Sequence, residues 1–114
     1  MDYCTIKDLQ RHYLLSRQME AATAALATSQ SDYKRRLITR SLDMLSQEAN
    51  PILSRINNTL PLLTSREAEL VNLRYVLGYT FRQAAAYMNR HEQTVYSLRR
   101  HLIRHLNAIN HSKL

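Results

Sequence analysis

The sequence predicts an all-α protein: an N-terminal helical hairpin over residues 1–60, followed by a three-helix unit over 61–114. Three observations carry this. The 114 residues hold one glycine, two prolines and no tryptophan, which leaves little turn chemistry. Apolar residues recur three and four apart along much of the chain, and no window alternates with period two. Helix-start patterns stand at Thr5-Ile6-Lys7-Asp8, Thr64-Ser65-Arg66-Glu67 and Thr80-Phe81-Arg82-Gln83. At this length, one domain or a small domain with an arm is expected.

The first helix covers the region up to residue 30. Ile6, Leu9 and Tyr13 share one face, whereas Leu15, Met19, Ala22 and Leu26 share another. The stripe shifts near Leu14, so this helix is suited to meet two neighbours in succession. Ala27-Thr28-Ser29-Gln30-Ser31 ends it in a polar turn. A second helix starts near Asp32. Its Ile38, Leu42, Leu45, Ala49, Ile52 and Ile56 form a heptad seam. Asn50-Pro51 interrupts it, since proline lacks the N–H and disfavours helix at the residue before. Either the helix kinks there, or Asn50 caps a new short one; the regular seam favours a kink. Asn57-Asn58-Thr59-Leu60-Pro61 is expected to be a linker. A hairpin of this size has little core of its own. It must close on itself and the rest of the chain, or join a second copy through 38–56. The heptad spacing makes a homodimer through that seam the expectation.

The third helix begins at Thr64 under a capping box and places Leu70, Leu73 and Leu77 inward. Gly78 follows, where a left-handed residue ends a helix without steric cost. Thr80 caps a short helix rich in alanine (Ala84, Ala85, Ala86), and small side chains there permit close helix approach. Asn89-Arg90-His91 breaks the chain again. The last helix runs from about Glu92 to about Asn110, with Val95, Leu98, Leu102, Leu106 and Ile109 inward. These segments read as a helix-turn-helix with one helix leading in. Gln93, Ser97, Arg100 and Arg104 fall on the outward face of the last helix, with Tyr96 beside them. That face is basic and acid-free. Gln and Arg make bidentate contacts to adenine and guanine edges, and a recognition helix presents its N-terminal turns to the major groove.

The charge agrees with this placement. Net charge is +7, and after Glu69 the chain carries one acid, Glu92, against seven bases. An asymmetry of this kind points to a polyanion partner.

The stretch Leu63–Leu106 resembles the C-terminal promoter-reading domain of bacterial sigma factors and the sigma-like helix-turn-helix of phage regulators of the ArpU and RinA kind. The residues that carry the resemblance are Leu63-Thr64-x-Arg66-Glu67, Leu73-Arg74-Tyr75, Gly78-x-Thr80, Ala85, Met88, Thr94-Val95, Leu98 and Leu106. Two positions depart from the family pattern: Gln83-Ala84-Ala85 replaces Glu-Ile-Ala, and His91 replaces the serine cap of the recognition helix. The resemblance implies a sigma-like helix-turn-helix, a phage or mobile-element origin and contact with RNA polymerase.

Other chemistry finds little footing. His101 and His105 stand four apart, as metal ligands can, but Arg100 and Arg104 flank them and no Cys or carboxylate is near in sequence. His91-Glu92 lacks the second histidine of a zinc-protease motif, because Val95 occupies its position. One glycine cannot build a phosphate-cradling loop. A lone Cys4 forms no internal disulfide, which fits a reduced cytosol. No membrane-spanning run and no secretory leader is visible.

The sequence therefore predicts a cytoplasmic bacterial DNA-binding regulator of transcription, not an enzyme, with no cofactor and no metal. Double-stranded DNA is the expected partner. Gln93, Tyr96, Ser97 and Arg100 are the expected base contacts, and Arg74, Arg82, Arg90, Arg99 and Arg104 the expected phosphate contacts. The alternative is a protein-interaction module that occupies RNA polymerase or another regulator and binds DNA weakly. An adaptor of that kind has no need of an acid-free Gln93/Arg100 face.

Overall fold

The structure, a computed structural model, describes residues 2–112. Five α-helices form the frame: α1 (Ile6–Thr28), α2 (Asp32–Thr59), α3 (Ser65–Leu70), α4 (Phe81–Tyr87) and α5 (Glu92–Ser112). A 3₁₀ turn, Leu60–Leu62, joins α2 to α3, and α3 runs on into a π-helical stretch, Val71–Val76. The described residues contain no strand.

The three helix starts are capped reciprocally. Thr5, Thr64 and Thr80 each accept a backbone N–H three residues on, and Asp8, Glu67 and Gln83 each accept the cap residue's own N–H. Helices α1 and α2 pair antiparallel. Asp8 holds Arg55 through two bonds of 3.0 and 3.2 Å, and Arg11 pairs with Glu48 further along. The seam of α2 turns onto α1: Ala49, Ile52 and Ile56 are buried with Leu9 and Leu15, and Leu45 packs against them. The C-terminal half of the seam is therefore used within the chain, whereas Ile38 and Leu42, in its N-terminal half, are half-buried and lie outside this cluster.

Helix α2 is longer than the sequence suggests. It passes through Pro51 unbroken and includes Asn57, Asn58 and Thr59, which the sequence reads as linker. Pro51 lies on the solvent side, where water can take the carbonyl that its missing N–H leaves free. The last turn is held by the N-terminal segment. Cys4 donates its N–H to Thr59 Oγ1 at 2.8 Å, that hydroxyl donates to the Arg55 carbonyl, and Asn58 donates to the Asp2 carbonyl. Cys4 is buried there, and burial pushes its thiol above the ordinary range, so it stays protonated.

A second correction concerns the end of the third helix. Leu77, expected inward with Leu70 and Leu73, is 59% exposed, while Val71 and Tyr75 are buried. The cause is the π-helical stretch. Leu77 N–H bonds to the Asn72 carbonyl, five residues back instead of four. The wider turn rotates each residue less, so a residue four positions on no longer returns to the same face. Gly78 closes the segment at φ +78°, and Asn89 takes φ 56° between α4 and α5. Both are conformations that Gly and Asn reach at low steric cost. An added Cβ at Gly78 would meet only ordinary contact, Arg17 Cδ at 3.8 Å, so the backbone angle is what selects glycine.

One hydrophobic core runs through the molecule. Leu9 and Leu15 of α1, Ile56 of α2, Leu70, Val71 and Leu73, and Val95, Leu102 and Leu106 of α5 all belong to it. Beside it, Glu67 is 4% exposed and accepts from His105 Nδ1 on α5 at 2.8 Å. Burial alone would raise the Glu67 carboxyl. Hydrogen bonds from the Thr64 N–H and the His105 ring outweigh it and hold the carboxyl below its usual range. A depressed folded value contributes stability above the unfolded value, about 4.3, and loses it as pH falls through the folded one. Urea unfolding followed by circular dichroism should therefore show Glu67→Gln less stable by roughly 1–3 kcal/mol at neutral pH. The loss of stability below about pH 4 should be shallower in the variant than in the natural protein.

Candidate nucleic-acid interface

Helix α5 is anchored along one side by Val95, Leu102 and Leu106, each at most 1% exposed, with Leu98 packed against them. Burial of that face fixes the rotation of the helix. It places Gln93, Arg100 and Arg104 on the opposite crest, all exposed, with Ser97 half-buried at one edge. Tyr96 is 45% exposed on the other edge. The acid-free composition of this crest, read from the sequence, is thus matched by its exposure.

A groove runs along each side of the crest. On the α3 side it is lined by Arg66, Arg90, Thr94, Ser97 and His101. Its floor is apolar, formed by Met88, Val95 and Leu98, and the basic side chains of Arg66, Arg90 and His101 stand at its rim, where a phosphate could be met. Sequence reasoning missed Arg66 and Thr94. Arg66 lies in the capping turn of α3, more than twenty residues from α5, and only the crossing of the two helices brings them together. Among the described residues no group of three or more His, Cys, Asp or Glu is placed to hold a metal, and His105 is engaged with Glu67.

The groove on the α1 side is lined by Gln10, Tyr13, Phe81, Tyr96 and Arg99. Arg74 sits at its floor, half-buried. Its guanidinium carbon lies 4.0 Å from the Tyr13 ring centre and 4.3 Å from that of Phe81, and Nη1 donates to the Tyr79 carbonyl at 3.0 Å. Arg74 Nε is buried and makes no hydrogen bond among the described residues. Its charge faces two aromatic rings instead. Arg99, half-buried, donates to the hydroxyl of the buried Tyr75 at 3.2 Å. The five arginines read from sequence as phosphate contacts thus divide. Arg82, Arg90 and Arg104 are exposed, whereas Arg99 and Arg74 are half-buried, Arg99 bonded to Tyr75 and Arg74 held by two rings and a carbonyl.

Residues 53–106 match the family model described as sigma-70, region 4. The match begins within the last two turns of α2 and ends at Leu106, a little under half of the chain. Region 4 is a DNA-binding helix-turn-helix, so this part of the chain is a sigma-factor-like helix-turn-helix. Region 4 domains bind DNA and RNA polymerase. No curated protein and no solved structure matches the chain. Among the described residues no helix is long and apolar enough to cross a membrane.

The crest and the groove floor should respond differently to truncation. Gln93→Ala and Arg100→Ala remove exposed side chains and should leave stability within about 0.5 kcal/mol of the natural protein. Arg74→Ala removes two ring contacts and a bond to a backbone carbonyl, and should cost about 1–3 kcal/mol. Thermal melts of the three variants check both statements.

Proposed function

We propose that the chain is a sequence-specific double-stranded DNA-binding regulator of transcription, of the phage or mobile-element kind, acting in the cytoplasm of a bacterial host. The observation that carries this reading is the crest of α5. Gln93, Arg100 and Arg104 are exposed on a face that carries no acid, on a helix whose rotation is locked by burial, within the segment that matches region 4. In this reading the N-terminal turns of α5 enter the major groove, where Gln93, Tyr96, Ser97 and Arg100 meet base edges. Arg82, Arg90, Arg99 and Arg104 take phosphates, joined by Arg66, whose groove adjoins Ser97. Arg74 is assigned a positioning role instead, because its guanidinium is spent on Tyr13, Phe81 and the Tyr79 carbonyl. RNA polymerase is the proposed second partner, on the strength of the region 4 likeness.

The proposed binding unit is a single chain. A homodimer through the whole 38–56 seam would compete with α1 for Ala49, Ile52 and Ile56, which favours the monomer. Sedimentation at high concentration should give a monomer, and Leu45→Glu should unfold the hairpin instead of releasing a folded monomer from a dimer.

Selection of bound duplexes from a random DNA pool tests the main reading. A defined motif is expected, and motif-free binding that disappears with modest salt would overturn it. With the motif in hand, Arg100→Ala should cost roughly 1–3 kcal/mol and relax preference at one position. Arg82→Ala should weaken all duplexes alike and lower the salt slope by about 1.

A further inference from the structure

We infer that Tyr13 and Arg74 set the position of Tyr96, so that α1 takes part in base discrimination without touching DNA. The inference rests on the DNA-reading role of α5 proposed above. Four side chains from four segments make a continuous stack. Tyr13 of α1 lies against the Arg74 guanidinium at 4.0 Å, and Arg74 of the π-helical stretch lies against Phe81 at 4.3 Å. Phe81, the first residue of α4, meets Tyr96 of α5 with ring centres 4.7 Å apart and planes 36° apart.

The stack has a fixed end and a free end. At the fixed end, α1 is tied to the π-helical stretch independently of the stack. His12 is buried and donates Nδ1–H to the Tyr75 carbonyl at 2.8 Å. Arg74 itself is pinned by its bond to the Tyr79 carbonyl. At the free end, Tyr96 is 45% exposed on the edge of the crest, and Phe81 is the ring it rests on. A half-exposed tyrosine without such a partner samples several rotamers. Here the rigid, flat guanidinium holds Phe81, and Phe81 holds Tyr96 in one place beside Gln93 and Arg100. A hydroxyl read against base edges gains discrimination when its position is held in advance. A lysine at 74 would keep the charge but lose the planar face that stacks.

The experiment is a double-mutant cycle between Tyr13→Ala and Tyr96→Ala on the full chain. It measures affinity for the selected duplex and for its single-base variants at several salt concentrations. Tyr13→Ala should reduce discrimination about 3- to 10-fold, within the range of a cation–π contact. The reduction should fall at the positions where Tyr96→Ala also acts, and the salt slope should not change. Tyr13→Phe, which keeps the ring, should restore discrimination. The two alanine variants should be non-additive. Additive effects, or equal loss on every duplex, would overturn the inference. Arg74→Lys provides the same cycle if Tyr13→Ala fails to fold. Ring resonances of Tyr96 in the free protein should shift in Tyr13→Ala, and unmoved resonances would also overturn it. A natural protein that selects no motif sinks the base-reading role altogether. The Tyr96 resonances then tell that failure apart from an absent stack.

Discussion

The docking of α1 against the π-helical stretch is the contact on which the rest of the structure depends. A π-helical segment ends with carbonyls that no following turn claims, and buried carbonyls without partners are costly. The Tyr75 carbonyl is taken by His12, and Ser16 approaches the Val76 carbonyl at 3.5 Å. The next polar group, Arg74, is covered by Tyr13. Thus three side chains within two turns of α1 complete a segment sixty residues away. They add to the local closure of the wide turn, in which Leu77 N–H bonds to the Asn72 carbonyl and Tyr79 N–H to the Leu73 carbonyl across Gly78.

This arrangement explains how a small helix-turn-helix is stabilised here. Helices α3 and α4 are six and seven residues long, too short to be stable alone. Their hold comes from capping boxes at Thr64 and Thr80, from the bond between buried Glu67 and half-buried His105, and from α5, whose apolar face closes over them. The N-terminal hairpin then adds the missing wall. The N-terminal strap extends the same logic to the chain ends. Cys4 bonds Thr59 through its N–H, and Asn110 of α5 donates to the Cys4 carbonyl at 2.9 Å. One short segment therefore ties α2 to the far end of α5.

The same packing bears on the proposed DNA face. Exposure alone would make the α5 crest an ordinary basic surface. What distinguishes it is its flanks, a groove along one edge and packed side chains along the other. On the α3 edge, Thr94, Ser97 and His101 share a groove with Arg66 and Arg90. On the α1 edge, Tyr96 and Arg99 rest on Phe81 and Tyr75. Positive charge is thus distributed around the crest from three separate elements, which suits a partner whose phosphates are spaced along two strands.

Much of this was legible in the sequence because it is local. A capping box needs residues three apart, Gly78 and Asn89 mark their own turns, and the inward face of α5 follows from helical periodicity over a long helix. The all-α class, the helix-turn-helix and the outward placement of Gln93, Arg100 and Arg104 come from those signals alone. Tertiary structure decided the rest. The C-terminal half of the 38–56 seam meets α1, because the short turn at 29–31 folds the two helices back on each other. The end of α2 stays helical because a distant residue, Cys4, supplies the bond that holds Thr59. Leu77 faces water because the helical turn before Gly78 is wider than an α-turn, and α1 supplies that segment with hydrogen bonds to its carbonyls and a ring against Arg74. Those partners lie some sixty residues away, and periodicity within a window cannot register them.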